Sequence, residues 1–237
     1  QNVGAGEEAT LTVERTSAHL WTYTGSYSPY EGATIAAYGP QNTDGSYPDT
    51  PILSETTSDA SGSVSFKLYQ EGKYLVTAYD ARANDEDSAL FYSGTVAAPY
   101  LELKVGVAEQ PDAVRAELKA KLDAVYNAYP KKIFGDDAWV DIEKAYKAAV
   151  ATLNDSSAST GEAYLAQQAA IRTIQSKQTE TIQANKTALE TFRTNLNKLP
   201  DDVNKITASA SVKEAATTLI QCYTSMNSYQ RSQLTNS

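Results

Sequence analysis

Few residues of this 237-residue chain are of types that do chemistry at neutral pH. His19 is the sole histidine and Cys222 the sole cysteine. One histidine excludes a two-histidine metal site and leaves a catalytic triad only serines to recruit. Cys222 lies on an apolar helical stripe beside Tyr223 and near Leu219. That is the setting of a small buried side chain, whereas a reactive thiolate needs a basic neighbour. Neither a G-x-S-x-G elbow nor a glycine-rich phosphate loop occurs. The 29 acidic side chains guarantee some pair at a glycosidase-like separation, so the sequence selects none. Two loops gather carboxylates: "DARANDEDS" (80–88) with Asp80, Asp85, Glu86 and Asp87, and "NTDGSYPDTP" (42–51) with Asp44 and Asp49. Calcium takes such oxygens, but the spacing fits no EF-hand, and both read as solvated loops. The remaining candidate is aromatic. In "HLWTYTGSYSPY" (19–30), Trp21 and Tyr23 share the parity of one buried strand face. Tyr27 and Tyr30, flanked by Gly25 and Pro29, are expected in the exposed loop that follows, the first place to look for a ligand. No catalytic residue, metal site or cofactor emerges, and the chain is read as not an enzyme.

The elements that position these residues fall into two compositional regimes. Residues 1–110 hold 15 acidic and 5 basic side chains, ten of the twelve glycines and ten of the sixteen tyrosines. Residues 111–237 hold 14 acidic and 15 basic side chains. The boundary is placed near Pro111. An acidic first half argues against nucleic acid, which needs a basic footprint. No run of 18 apolar residues exists, so no membrane span is expected. "QNVGAGEEA" has no signal-peptide pattern, and residues 1–7 read as a flexible lead-in after a removed signal or a cloning boundary. A single cysteine allows no intrachain disulfide, which suits either the cytosol or the surface of bacteria that avoid cysteine.

From Glu8 to Val107 the pattern alternates with period two between turn residues, predicting seven or eight short strands over 8–108. Within it, "GATIAAYG", "TTSDASGSVSFKLY" and "EGKYLVTAYD" carry Gly32-Ala33-Thr34-Ile35, Asp59 with Gly62 and Phe66, and Gly72-Tyr74-Val76-Ala78. This set resembles the prealbumin-like β-sandwiches, the carboxypeptidase-regulatory-like and Cna-B-like domains of bacterial surface proteins. The resemblance implies an Ig-like sandwich with a tight turn at Asp59–Gly62, Phe66 in the core and Tyr74 as a tyrosine corner. Some Cna-B-like domains carry a Lys–Asn crosslink. "ATLTVER" has no lysine and "YLELKVGV" no asparagine, so the resemblance does not extend to it.

From Pro111 the period becomes 3.6. Val114, Leu118, Leu122, Val125 and Tyr129 form one stripe. Trp139, Ile142, Tyr146, Ala149 and Leu153 form a second, with Asp136 or Asp137 as its cap. Ser159 and Glu162 make a capping box for a third helix, striped by Tyr164, Gln167, Ile171 and Ile174. Leu118, Leu122, Trp139, Ala145, Ala149, Leu153, Ala170 and Ile174 together resemble the FIVAR-type modules of extracellular proteins of Gram-positive bacteria, here a three-helix bundle over 111–176. With no proline or glycine in "QSKQTETIQANK", the third helix is expected to run on to Lys198. Its stripe resumes at Ile182, Leu189, Phe192, Leu196 and Leu199, and its polar middle is expected to be poorly packed. Residues 177–237 then form a second bundle around this shared helix. A capping box at Ser211 and Glu214 opens a helix striped by Val212, Ala216, Leu219, Ile220 and Tyr223. A short helix starts near Ser228. Leu199-Pro200, Ile206-Thr207, Val212 with Ala215, Tyr223 with Met226, Gln230-Arg231, Leu234 and Asn236 resemble a helical repeat of Gram-positive extracellular proteins. That repeat hands on to a next module after the asparagine, which implies a piece of a longer surface protein. "LPDDV" departs from an L-P-x-T-G sorting signal.

The sequence thus predicts a multi-domain all-β plus all-α chain: a β-sandwich, then elongated helical bundles sharing a long helix. The expected function is a non-catalytic module of a secreted or cell-wall-associated bacterial protein, serving as spacer, stalk and adhesion or binding unit. Its expected partners are an extracellular protein or glycan and adjacent modules of the same chain. The alternative is a carbohydrate-binding accessory region of a large glycan-active enzyme.

Overall fold

The computed structural model of the chain describes residues 2–16, 27–29, 31–79, 90–93, 96–98, 100–200 and 209–234; for residues 14–16, 27–29, 55–57, 79, 90–93 and 96–98 it describes the backbone alone. Among the described residues ten strands come first. They are β1 (Asn2–Gly4), β2 (Glu8–Thr16), β3 (Tyr27–Pro29), β4 (Thr34–Tyr38), β5 (Leu53–Thr57), β6 (Ser63–Lys67), β7 (Gly72–Tyr79), β8 (Leu90–Ser93), β9 (Val96–Ala98) and β10 (Tyr100–Gly106). Helices follow: α1 (Pro111–Tyr126), a 3-10 turn (Lys131–Ile133), α2 (Asp136–Asn154), α3 (Thr160–Leu196), α4 (Ala210–Ser225) and α5 (Ser228–Leu234). Contacts divide the chain into two compact units, residues 1–117 with 156–165, and residues 118–155 with 166–237.

In the first unit one sheet runs β1-β10-β7-β4-β5 and the other β3-β2-β8-β9, with β6 also paired to β2. The period-two reading of β2 holds: Leu11 and Val13 are buried while Thr10 and Thr12 face solvent. Buried residues from both sheets form one core, with Leu11, Val13 and Phe66 from one and Ile35, Tyr74, Val76 and Leu103 from the other. Each such side chain contributes roughly 1.5–3 kcal/mol on burial, and truncating Ile35 to alanine would cost about 2–5 kcal/mol. The turn at Asp59 forms as expected. Asp59 Oδ1 accepts from the N–H groups of Ser61 (2.8 Å) and Ser63 (3.0 Å), and Gly62 N–H donates to Asp59 O at 2.9 Å. Gly62 has φ +72, a left-handed conformation that suits glycine. The segment read as a flexible lead-in is instead built into the sheet. β1 pairs in parallel with β10, Ala5 is fully buried, and Ala5 N–H donates to Gly106 O. Three residues are too few to display a period, so the sequence pattern missed the strand.

The second unit is helical. Leu118 and Leu122 of α1, Ile142, Ala149 and Leu153 of α2, and Ala170 and Ile174 of α3 are buried, as their stripes require. Four local expectations change. The residue capping α2 is Gly135, with no side-chain cap; Asp136 and Asp137 sit in the first turn, where their charge complements the helix dipole. The cap of α4 is Ser209, two residues before the serine expected, its Oγ accepting from Val212 N–H. The inner face of α3 is set by amides. Gln167, Gln178 and Asn185 are buried, while Ile182 is 40% and Leu196 47% exposed. On α4, Ala215 is buried while Ile220 and Tyr223 face outward. The capping box at Ser159 and Glu162, which belongs to the first unit, forms with both reciprocal bonds (2.7 and 3.1 Å).

Candidate functional site

The aromatic candidates divide at the edge of what is described. Tyr27 opens strand β3 opposite Thr16 of β2, so its backbone is in a sheet and not in the loop expected. Tyr30, His19, Trp21, Tyr23 and the acidic loop 80–88 lie outside the described residues. The second acidic loop is fully visible, and its own backbone engages the carboxylate. Asp44 Oδ1 accepts from Ser46 Oγ (2.6 Å) and Ser46 N–H (2.9 Å), bonds that hold its carboxyl below the usual range. Asn42 N–H donates to Ser46 O and Gly45 N–H to Asn42 O, closing the turn. Asp49 is exposed, and among the described residues no cluster of His, Cys, Asp or Glu could hold a metal ion. Cys222 is half-buried, and its carbonyl accepts from Met226 N–H at the end of α4.

The polar side chains that the fold does bring together belong to three constellations. In the first unit Tyr74 is buried and donates to Gln70 O at 2.8 Å, as a tyrosine corner does. Burial, with Tyr164 a smaller contributor, pushes its pKa up to about 12. Tyr164 stacks on Tyr69 with ring centroids 4.4 Å apart. In the same unit Glu7 Oε1 accepts from the N–H groups of Glu109 (2.5 Å) and Gln110 (3.2 Å), just ahead of α1. Lys67 pairs with Glu117 at 2.5 Å. Two open depressions flank Glu7. One, of about 390 Å³, is lined by Asn2, Lys104 and Glu109, and the other, of about 320 Å³, by Glu8, Lys67 and Glu117.

No protein-family model, curated protein or solved structure matches the chain. Function must therefore be read from these constellations alone.

The second unit holds the other two. Asp123 accepts from Lys119 Nζ (2.6 Å) and from the Tyr146 hydroxyl (2.7 Å). The lysine chiefly, and then the tyrosine, hold its carboxyl low; the same bond holds the Tyr146 phenol high. Tyr146 stacks on Tyr126 at 4.0 Å, and Tyr126 meets Trp139, over which Lys131 lies. The third constellation is a row of amides. Gln167 Nε2 donates to Leu118 O (3.1 Å), Gln178 Nε2 to Val125 O (2.8 Å) and Asn185 Nδ2 to Ile133 O (3.2 Å). Gln230 Nε2 donates to Asn185 Oδ1 (2.7 Å), while Gln230 Oε1 and Asn227 Oδ1 cap α5 reciprocally. The sequence places Gln167 on the inner stripe of this helix, but not Gln178 or Asn185. The signal of the row was present: 167, 178 and 185 are spaced by 11 and 7, whole numbers of helical turns on one face. Chemically these groups bind backbone; none presents a nucleophile to a base.

Proposed function

We propose that the chain is a non-catalytic module of a secreted or cell-surface bacterial protein, a spacer that also serves adhesion or binding. The observation that carries this reading is the amide row on α3. Gln167, Gln178 and Asn185 bind carbonyls of α1 and the 3-10 turn, and Asn185 also accepts from the amide of Gln230. They fix the helices to one another. Buried, satisfied amides of this kind rigidify a bundle and favour one register, as a spacer requires. The two sheets sharing one core, the Asp59 turn and the Tyr74 corner support reading the first unit as a prealbumin-like sandwich. Among the described residues no helix is long and apolar enough to cross a membrane.

Binding of the purified chain to a glycan array and to bacterial cell-wall sacculi tests the reading. The spacer proposal expects any retention to be unchanged in Tyr27→Ala and Tyr30→Ala. Retention abolished by either substitution would replace it with the carbohydrate-binding accessory reading.

A further inference from the structure

Among the described residues every strand pair of the first sheet is antiparallel except the one at its edge, where β1 runs parallel to β10. The register is Asn2↔Lys104, Val3↔Val105, Gly4↔Gly106, continued by Ala5 N–H to Gly106 O at 2.9 Å. β1 and β10 are the first and last strands of the chain's β region. Parallel orientation means that the chain enters β1 at one end of this ladder and leaves β10 at the opposite end. Tension between the segment ahead of Asn2 and the segment beyond Gly106 therefore runs along the strands. The ladder bonds lie across that direction and are strained together. Two handles at the same end of the ladder would instead open it bond by bond.

Glu7 adds a second tie on the same path. Its carboxylate, just after β1, accepts from the backbone N–H groups of Glu109 and Gln110, just after β10. Sliding β1 toward its own N-terminus pulls Glu7 away from both. Gly4 makes room for this arrangement, since a Cβ there would collide with the Glu7 carboxylate. Gly6 N–H also donates to Leu68 O at 2.7 Å, holding the turn that aims Glu7.

We propose that the β1–β10 ladder and the Glu7 latch form a force clamp, which keeps the first unit folded when the chain is pulled through its ends. The clamp draws its use from the spacer reading, but its mechanics are measured without it. The experiment pulls single full-length chains, in a Cys222→Ser background, from an N-terminal tag. The second handle is either Asp112→Cys, just beyond the latch, or Tyr100→Cys, at the entry end of β10, where Tyr100 is 50% exposed. The clamp predicts a higher unfolding force with the Asp112→Cys handle than with the Tyr100→Cys handle. Forced unfolding follows the unfolding rate. Glu7→Ala removes a charged acceptor and should raise the rate at constant force about tenfold, ~1.4 kcal/mol, with the Asp112→Cys handle. The rate with the Tyr100→Cys handle should stay unchanged. Gly4→Ala, which displaces the same carboxylate, should act in the same direction. Equal forces for the two handles, or an equal effect of Glu7→Ala in both, would overturn the clamp. Either result leaves the spacer proposal standing, because that proposal fails only in tests of binding and reach.

Discussion

Tyr74 shows what a single enclosed side chain contributes. Its hydroxyl satisfies the Gln70 carbonyl, and burial raises its pKa from 10.0 to about 12. Tyr74→Phe should cost about 1 kcal/mol at neutral pH, read as a lower urea midpoint. The pH dependence follows from the raised value. Below pH 10 the phenol is neutral in both folded and unfolded chains, and its contribution is complete. Between pH 10 and about 12 the unfolded chain loses the proton first, so stability falls as pH rises through that window. The loss should reach about 2–3 kcal/mol, and Tyr74→Phe should remove that part of the slope. Identical slopes in the two proteins would contradict the burial of this hydroxyl. The roles of the Asp59–Gly62 turn and of Tyr74 were legible through the resemblance because their bonds join neighbours a few residues apart, whereas Phe66 is buried by strands far along the chain. The role of Glu7 was not legible, because its partners, Glu109 and Gln110, lie about a hundred residues along the chain.

At the scale of elements, helix α3 is the test of how far periodicity reaches. Its extent and capping box follow from the sequence, since "QSKQTETIQANK" has no breaker and Ser159–Glu162 is local. Its inner face does not. Period counting puts Ile182 and Leu196 inside because they are apolar, but the carbonyls of Val125 and Ile133 draw Gln178 and Asn185 inward instead. The expected poor packing of the polar middle holds only for its outer face: Gln178 and Asn185 are buried and bonded, while Gln175, Thr179, Glu180 and Gln183 are exposed. Asn185→Ala severs bonds to Ile133 O and Gln230 Nε2 and should cost about 2–3 kcal/mol. Ile182→Lys, on the exposed face, should change stability by less than about 0.5 kcal/mol. Thermal unfolding followed by helical circular dichroism separates the two. A larger effect at Ile182 than at Asn185 would restore the apolar stripe. Strand β1 and the strand placement of Tyr27 escaped for the complementary reason. Three-residue strands carry no period, and their pairing partners in the long strands β10 and β2 decide them.

For the molecule as a whole, the division into a strand-rich acidic part and a charge-balanced helical part was legible from composition, because backbone period and turn content differ along the chain. The use of the polar side chains emerged only from the structure, since an amide facing a buried carbonyl and one facing water read alike in a sequence. The spacer proposal is tested most directly on a cell surface. The chain is displayed between a wall anchor and a reporter binding head, and capture of target-coated beads is counted under flow. The proposal predicts more captured beads than with the head fused directly to the anchor, and loss of that gain for Asn185→Ala at a temperature where only the variant is unfolded. Equal capture with and without the chain would contradict it.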